Sequence, residues 1–388
     1  MSRIRVLFVD DEERVLDGLR DRLRRHRAEW DMQFVPAAEL ALAELARAPA
    51  DVVVTDMRMP RMDGAAFLER VRKLYPQTVR IILSGFTEME TALRTVPLTH
   101  QFLCKPSPAG ELENAIERAL SLRALLADEA LRRAVGRVEQ LPSPPRIYAR
   151  LIEALAASDT SARRVAAIVG EDTAMCARIL QLVNSAFFGV PRKFAGMEQA
   201  VNYLGFDTIK GLVLSADVFR PERAVAGLSI EEQQVHALRV ARLASAFAEK
   251  TPFAADAFIA GLLHDIGALV LVARALERPG GARPAPLRGS PTQTLDAIIA
   301  EPNASHAEVG AYLLGLWNLP YPIVETVAHH HQPTRVVQRE LGLLTVVYLA
   351  EALAYDHDAP VDEDYLASVN ALVRLPAWRR RARDILAS

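Results

Sequence analysis

The sequence predicts two domains of different class, an α/β domain followed by an all-α domain. Up to about residue 120, short β-rich runs alternate with helical patterns, which is typical of a parallel sheet covered by helices on both faces. From residue 146 onward, helical periodicity dominates and we find no convincing strand. Between the two parts, Pro142 and the Ser-Pro-Pro run at 143–145 mark a break.

The α/β part contains five predicted strands, each followed by a helical stretch. The strands are RVLFV at 5–9, MQFV at 32–35, VVVT at 52–55, RIIL at 80–83 and QFLC at 101–104. The helical stretches are 13–26, 37–47, 64–74, 87–95 and 109–126. Because the pattern stays helical and rich in Arg, Leu and Ala up to about residue 140, we expect the last helix to continue into a helical linker.

The second part is predicted to be a helical bundle. Its helical stretches are 146–157, 161–170, 173–186, 196–204, 207–219, 229–249, 256–276, 292–300, 305–317, 322–331, 338–355 and 362–374. The composition of residues 279–291 indicates a flexible surface loop. Residues 356–388 continue as helix with the basic end WRRRAR, which we interpret as a solvated terminus.

Composition narrows the function classes. A chain of 388 residues is long enough for two domains, and its net charge of −2 indicates no general affinity for nucleic acid or anionic lipid. The apolar run VLFV near the N-terminus is too short for a secretory signal, and no stretch approaches the length of a spanning helix. The two cysteines, Cys104 and Cys176, are far apart, which fits a reducing cytoplasm. We therefore expect a cytoplasmic protein without a membrane or nucleic-acid partner.

Charged and polar residues follow the predicted strands of the first domain. Asp10 and Asp11 end the first strand, Asp56 the third, Ser84 the fourth and Lys105 the fifth. Side chains at the carboxyl ends of parallel strands meet in one crevice, where grouped carboxylates repel one another unless a cation joins them. Such oxygen ligands suit Mg²⁺, and a lysine opposite them suits a phosphoryl group. The alternative is that each charge only caps a strand at the solvated edge.

These residues lie in motifs that resemble the receiver domain of two-component response regulators, over about residues 3–121. The motifs are VDDE at 9–12, TDMRMPRMDG at 55–64, LSG at 83–85 and FLCKP at 102–106. The resemblance implies a flavodoxin-like fold with five parallel strands. It also implies that a sensor histidine kinase or phosphotransfer protein phosphorylates Asp56.

The same resemblance assigns further roles. Asp10, Asp11, Asp56 and the backbone carbonyl of Arg58 would hold Mg²⁺, Asp10 through water. Lys105 would pair with the phosphoryl oxygens, Ser84 and Phe102 would be the switch residues, and Pro106 would follow a cis peptide bond. A phosphoryl group adds nearly two negative charges, which Ser84 can move to meet while the Phe102 ring turns into the vacated space. Receivers of this kind often form homodimers.

Histidines recur on successive helices of the second domain. His236 shares a helical face with apolar residues, and His264 and Asp265 lie in GLLHDIG, flanked by Gly261 and Gly267, which permit close backbone approach. His306 follows Ser305 in a capping box, and 329–331 are three histidines at a helix end. Histidines that converge in a bundle core often bind metal. Alternatively, each is a hydrogen-bonded core residue, and those at 329–331 interact with the helix dipole.

From about residue 141 to 355 the sequence resembles the HDOD domain, which is related to the HD metal-dependent phosphohydrolases. The matching motifs are LVNSAFFG at 182–189, AVNYLGFDTIKGLVL at 200–214, GLLHDIG at 261–267, HAEVGAYLLGLW at 306–317 and HHQP at 330–333. The resemblance implies seven metal ligands for iron, manganese or zinc, namely His236, His264, Asp265, His306, His330, His331 and Glu351. Two phosphate-gripping features of related hydrolases are missing, because Ala268 stands where they have lysine and no GYP signature follows the paired histidines.

The predicted organisation is a receiver domain at 1–121, a helical linker at 122–140, an HDOD domain at 141–355 and a helical extension at 356–388. We predict a response regulator in which phosphorylation of Asp56 switches a non-catalytic HDOD domain that binds a downstream signalling protein. The alternative is a receiver-gated, metal-dependent phosphohydrolase acting on cyclic di-GMP or a nucleotide. A DNA-binding output ranks last because the sequence has no basic recognition helix.

Overall fold

The fold is known from a computed structural model. It describes residues 3–85, 98–105, 110–125, 129–136, 141–143, 145–157, 160–184, 194, 196–206, 208–209, 219–221, 224–225, 228–276, 305–317 and 319–387. The chain forms two compact units, the first mainly Met1–Gln140 and the second mainly the residues from Leu141 onward.

The first unit contains the five-stranded parallel sheet that the sequence predicts. Its strands are β1 (Ile4–Val9), β2 (Trp30–Val35), β3 (Val52–Thr55), β4 (Val79–Ser84) and β5 (Gln101–Cys104). They lie in the order β2-β1-β3-β4-β5, and every neighbouring pair is parallel. In this order, β1 and β3 are adjacent at the centre, where their carboxyl ends carry Asp10 and Asp56. The crevice therefore lies where the strand order reverses.

The helices of the first unit also follow the prediction closely. They are α1 (Glu13–Arg22), α2 (Ala38–Arg47), α3 (Gly64–Leu74), α4 (Glu111–Leu125) and α5 (Glu129–Gly136). The first helix is shorter than the predicted 13–26, because the chain tightens into a 3₁₀ turn at Arg24–His26. The predicted helix at 87–95 lies outside the described residues, as does Pro106.

The linker helix α5 is held within the first unit by its last residue. A Cβ atom at Gly136 would overlap the carbonyl oxygen of Pro76, so only glycine permits this approach. The buried guanidinium of Arg80 donates a 2.9 Å hydrogen bond to the Gly136 carbonyl and a 2.6 Å bond to the Leu98 carbonyl. Arg80 thus joins the end of the linker helix to the segment that precedes β5.

The second unit is a helical bundle. Its helices are α6 (Pro145–Ala156), α7 (Ala162–Val169), α8 (Thr173–Val183), α9 (Met197–Leu204), α10 (Ile230–Phe247), α11 (Ala254–Leu263), α12 (Ile266–Leu276), α13 (His306–Leu316), α14 (Tyr321–His329), α15 (Leu343–Ala352), α16 (Glu363–Ser368) and α17 (Leu375–Leu386). The predicted loop at 279–291, the predicted helix at 292–300 and most of LVNSAFFG and of the predicted helix at 207–219 lie outside the described residues.

The expectation of a second domain without strands is wrong. Strand β6 (Leu141–Ser143) pairs in parallel with β7 (Phe219–Pro221), and β8 (Ala224–Val225) pairs with β9 (Leu228–Ser229) in a hairpin. These strands have only two or three residues, and the first pair contains prolines. Alternation cannot be recognised over so short a run, which is why the sequence pattern did not reveal them.

Three predicted helices also differ in their bounds. The stretch 256–276 is two helices, α11 and α12, because the chain turns at His264 and Asp265. The stretch 362–374 ends early at Ser368, followed by Asn370 with a φ of 57°. The stretch 338–355 forms a helix only from Leu343 onward.

The basic C-terminal segment is helical but is more than a solvated end. Helix α17 buries Leu375, Trp378 and Ala382, and the Trp378 ring lies 5.6 Å from that of Phe247 on α10. Its arginines therefore form the outer face of a docked helix.

Candidate functional site

The first candidate site is the crevice at the carboxyl ends of β1, β3 and β5. Asp10 and Asp56 are buried there, Asp56 with 8% of its surface exposed. The ammonium nitrogen of Lys105 lies 2.5 Å from Asp10 Oδ2 and also forms an ion pair with Asp56 Oδ1. One cation thus neutralises part of the repulsion between two buried carboxylates. The structure brings these three predicted residues together.

The loop after β3 shapes the surroundings of Asp56. The backbone N–H of Arg58 donates a 2.6 Å hydrogen bond to Asp56 Oδ2. A Cβ atom at Gly64 would overlap the carbonyl oxygen of Asp56, so helix α3 can begin against this loop only with glycine. Asp63 caps the same helix by accepting a 2.7 Å bond from the Ala66 N–H. The motif DG in TDMRMPRMDG therefore has a packing role beside the carboxylate.

The other predicted receiver residues are placed only in part. Asp11 is exposed next to Asp10. Ser84 ends β4, and Phe102 lies in β5 opposite Ile82, but their side chains lie outside what the structure describes. The switch roles of Ser84 and Phe102 therefore stay predictions.

Burial and ion pairing shift the pKa values of the crevice residues in opposite directions. Burial raises the pKa of Asp10, although hydrogen bonds from Lys105 and the Glu12 N–H partly offset it. Burial alone would lower the pKa of Lys105, but its hydrogen bonds to Asp10 and Asp56 raise that pKa overall. Buried carboxylate oxygens with an exposed third carboxylate beside them form a donor set of the kind that Mg²⁺ prefers.

The second candidate site lies in the helical bundle, where glycines let helix backbones touch. A Cβ atom at Gly261 on α11 would lie 2.8 Å from the Ala241 Cα on α10, and one at Gly267 on α12 would overlap the carbonyl oxygen of His306 on α13. These approaches bring His264 next to His236, and Asp265 next to His306. The flanking glycines therefore perform the role that the sequence predicted for them.

Helix α13 starts where the sequence predicted a capping box. The Ser305 N–H bonds to Glu308 Oε2 at 3.2 Å, and the Glu308 N–H bonds to Ser305 Oγ at 3.3 Å. This box fixes the first residue of the helix, and His306 is that residue. Its side chain is completely buried and faces the cluster.

One half of the histidine cluster gathers around Glu351. Its Oε2 lies 2.9 Å from His236 Nε2 and 3.1 Å from His264 Nε2. Asp265 Oδ2 lies 3.6 Å and 3.4 Å from the same two nitrogens. Three ligand-type groups, from His236, His264 and Glu351, therefore converge within reach of one cation, and Asp265 lies beside them.

The other half gathers around the second oxygen of the same aspartate. Asp265 Oδ1 lies 3.1 Å from His306 Nε2 and 3.7 Å from His330 Nε2. His331 Nε2 lies 3.0 Å from His306 Nε2, and His331 is the exposed member of the group. His329 does not belong to the group of ligand-type atoms found among the described residues. The structure thus gathers all seven residues that the resemblance pointed to.

The hydrogen bonds around the cluster orient its rings. His264 Nδ1 lies 2.7 Å from the Gly261 carbonyl, and His330 Nδ1 lies 2.9 Å from the Val327 carbonyl. A carbonyl accepts only, so each Nδ1 carries a proton and each Nε2 faces the cluster, where the neutral imidazole offers a lone pair. Neither oxygen of Asp265 has a well-aligned hydrogen bond from any described residue. Buried lone pairs that face one another in this way fit a bound cation.

The pKa values of the cluster reflect two buried carboxylates surrounded by histidines. Burial opposes the charge on Asp265 and Glu351, but the histidines around them hold the pKa of both carboxyls well below the usual range. Burial lowers the pKa of His330, and burial together with His330 lowers the pKa of His331 to about 3. His264 differs, because Asp265 and Glu351 outweigh its burial and raise its pKa. Anionic carboxylates and neutral imidazoles are the forms that bind metal.

Sequence reasoning missed two residues beside the cluster. The Tyr355 ring stacks on that of His236, and the Arg239 guanidinium lies over the Tyr355 ring. Arg239 follows His236 by three residues on α10, so helical spacing from a predicted ligand was the available signal for it, whereas Tyr355 lies beyond the end of α15. Ala268, where related hydrolases have lysine, is buried with 1% exposure.

Comparisons with known families match a different family model to each of the two compact units. A family model of the response regulator receiver domain matches residues 6–117, and one of the HDOD domain matches residues 141–333. Glu351 lies beyond the second match, although the structure places it against His236 and His264. The crevice and the matched receiver domain define a two-component response regulator.

Similar proteins cover parts of the chain. An uncharacterized protein of Treponema pallidum (strain Nichols) is 28% identical over 228 residues, or 55% of this chain and 42% of the relative. The hydrogenase transcriptional regulatory protein HoxA of Cupriavidus necator is 36% identical over 125 residues, or 32% of this chain and 25% of the relative. The chain therefore spans less than half the length of either relative.

Solved structures that match parts of the chain include a response regulator and a receiver domain. The MmoQ response regulator from Methylococcus capsulatus str. Bath is 21% identical and has a TM-score of 0.47, with 65% of this chain and 99% of that chain covered. The signal receiver domain of an HD domain-containing protein from Pseudomonas fluorescens Pf-5 is 30% identical with a TM-score of 0.30, and covers 32% of this chain and 98% of its own.

The chain belongs to the response regulators in which a receiver domain is followed by an HDOD domain. Among the described residues, no helix has the length and apolar character needed to cross a membrane.

Proposed function

We propose that the receiver accepts a phosphoryl group on Asp56 from a sensor histidine kinase or a phosphotransfer protein. Support comes from the buried Asp56 carboxylate, the Arg58 N–H bonded to its Oδ2, and the ion pair of its Oδ1 with Lys105. Mg²⁺ would be held by Asp10, Asp11, Asp56 and the Arg58 carbonyl, and would supply charge neutralisation.

The residues of the crevice position the reaction, because phosphoryl transfer needs orientation and charge neutralisation more than covalent work by the protein. The Arg58 N–H orients the attacking carboxylate of Asp56. Lys105 is placed to turn from the carboxylates to the new phosphoryl oxygens. Ser84 and Phe102 would then carry the change to the surface, as the resemblance implies, and so switch the HDOD domain.

We further propose that the HDOD domain holds two metal ions and hydrolyses a phosphate ester, of which cyclic di-GMP and nucleotides are the classes that the resemblance suggests. One observation carries this proposal: the two oxygens of buried Asp265 face two different groups of ligands. A carboxylate that bridges two such groups is typical of paired metal sites. Asp265 would help to hold both ions, and the ions would supply Lewis-acid activation of water.

The exposed edge at His331 favours a catalytic role of the metal site over a purely structural one. Structural metal sites are closed, whereas catalytic ones keep a position open to water and ligand. His331 is the exposed ligand, and the other residues of its group, Asp265, His306 and His330, are buried. A cluster open on one side fits a centre that a substrate can reach.

A non-catalytic HDOD domain that binds a downstream signalling protein is the second candidate. The buried Ala268 favours it, because no lysine can grip phosphate from that position. Under this alternative the metal ions would only stabilise the bundle.

The experiment compares two adjacent histidines in the full chain. Protein loaded with manganese is analysed for metal content and for hydrolysis of bis(p-nitrophenyl) phosphate and cyclic di-GMP. We expect about two ions per chain and measurable turnover in the wild type. His330→Gln should lose metal and turnover, since it removes a ligand whose Nδ1 is already fixed.

His329→Gln is the matched control and should keep both properties, because His329 lies next in sequence but outside the cluster. A wild-type chain that takes up no metal would contradict the metal centre. Full metal content without turnover on either ester would favour the interaction module.

A further inference from the structure

One edge of the histidine cluster is formed by an aromatic side chain. The rings of Tyr355 and His236 are nearly parallel, with centroids 5.3 Å apart and planes 6° apart. Tyr355 is 48% exposed, whereas His236 beneath it is completely buried. Tyr355 therefore has one face on a predicted metal ligand and an edge in solvent.

A cation lies on this aromatic edge. The Arg239 guanidinium carbon is 5.5 Å from the centroid of the Tyr355 ring, a cation–π distance. Arg239 is exposed, and within the described part of the chain no carboxylate forms a salt bridge with it. Its guanidinium is thus held in place by a ring while its N–H donors stay available.

We propose that Arg239, held over Tyr355 on the His236 side of the metal centre, is an anion-binding residue and binds the phosphoryl oxygens of a phosphate ester. The proposal rests on the metal-dependent hydrolysis proposed above and names a specificity residue for it. It also supplies, from a different helix, a cation for a site where Ala268 provides none.

The choice of a phosphoryl group follows from the chemistry of the Arg239 guanidinium on one side of the ligand and of the metal ions on the other. A planar guanidinium fork matches the paired oxygens of phosphate, and arginine is the residue most suited to that geometry. Two divalent ions in the cluster would outweigh the charges of Asp265 and Glu351, so an oxyanion would meet positive charge on both sides. A ligand reaching from the metal ions to Arg239 must therefore carry several anionic oxygens.

The experiment measures binding rather than turnover. Inorganic phosphate is titrated calorimetrically into the manganese-loaded full chain, and metal content is determined for every variant. We expect Arg239→Ala to weaken phosphate binding roughly tenfold, the effect of one charged hydrogen bond, with metal content unchanged. Arg242→Ala, an exposed arginine three residues further along α10, should bind as the wild type does.

Two variants of Tyr355 test whether its ring holds the Arg239 guanidinium in place. Tyr355→Phe keeps the ring and should bind phosphate normally, whereas Tyr355→Leu should weaken binding as Arg239→Ala does. If metal is taken up and Arg239→Ala binds phosphate as tightly as Arg242→Ala, this inference is overturned and the metal centre stands. If the wild type takes up no metal, the proposed hydrolysis and this inference fall together.

Discussion

At the scale of single residues, the receiver crevice depends on the carboxylates that face Lys105. Asp56 does so from the end of a central strand, and its second oxygen is bound by the Arg58 N–H. An amide in its place would lack the negative oxygen that the proposed phosphoryl transfer requires, although it would keep the shape of the side chain.

We therefore expect Asp56→Asn to abolish phosphorylation of the full chain by acetyl phosphate in the presence of Mg²⁺, measured by intact mass. Asp63→Asn is the matched control, because asparagine also caps helices and the Ala66 N–H keeps its acceptor. Labelling of Asp56→Asn at the wild-type rate would show that another residue is the acceptor.

Residues at strand ends and in motifs could be predicted from sequence because their neighbours are fixed by the sheet. Asp10, Asp56 and Lys105 follow parallel strands β1, β3 and β5, whose carboxyl ends lie at the same edge of the sheet. Arg239 and Tyr355 could not be found this way, because their contact depends on how α10 packs against the segment after α15. Helical spacing can place Arg239 near His236, but no local pattern in the sequence pairs it with Tyr355.

At the scale of elements, the histidine cluster depends on helices that touch without side chains between them. Gly267 on α12 lies against the backbone of α13 at His306 and Gly310. Any Cβ there forces the two helices apart, and His306 moves with its helix away from Asp265.

We expect Gly267→Ala to lower the free energy of unfolding by about 1–3 kcal/mol, the usual cost of overpacking, and to reduce metal content. Urea unfolding and elemental analysis are the measurements. Gly18→Ala is the control, since Gly18 lies inside α1 with open space around its Cα and should gain about 0.5–1 kcal/mol in helix propensity. Equal stability of the two variants would argue against the close packing of α12 and α13.

The observed bounds of the helices and strands show which features hydrophobic periodicity cannot reveal. The chain turns at His264 and Asp265, within the predicted helix 256–276. The sequence shows no break there, because two residues are too few to interrupt the apolar pattern on either side. The same limit concealed β6 to β9. Long elements such as β1 and α10 were predicted closely because many residues report the same period.

At the scale of the whole molecule, the proposed function requires that the crevice and the metal centre be energetically coupled. A coupling free energy of about 1–3 kcal/mol, typical of such systems, corresponds to a change of about five- to 150-fold. Beryllofluoride, a mimic of the phosphoryl group, should therefore change the rate of ester hydrolysis by at least about fivefold in the full chain.

The measurement is hydrolysis with and without beryllofluoride and Mg²⁺, accompanied by amide exchange over residues 122–140. Asp56→Asn should show no response in either assay. Identical rates and identical exchange in the wild type would mean that the two domains act independently.

The contact between Arg80 and Gly136 sets a boundary for engineering. A receiver cut at residue 121 would discard the carbonyl that the buried Arg80 guanidinium binds, together with the glycine that fits against Pro76. Chimeras that exchange sensory inputs should therefore be joined after Gly136, so that the transplanted module keeps its own final helical turn.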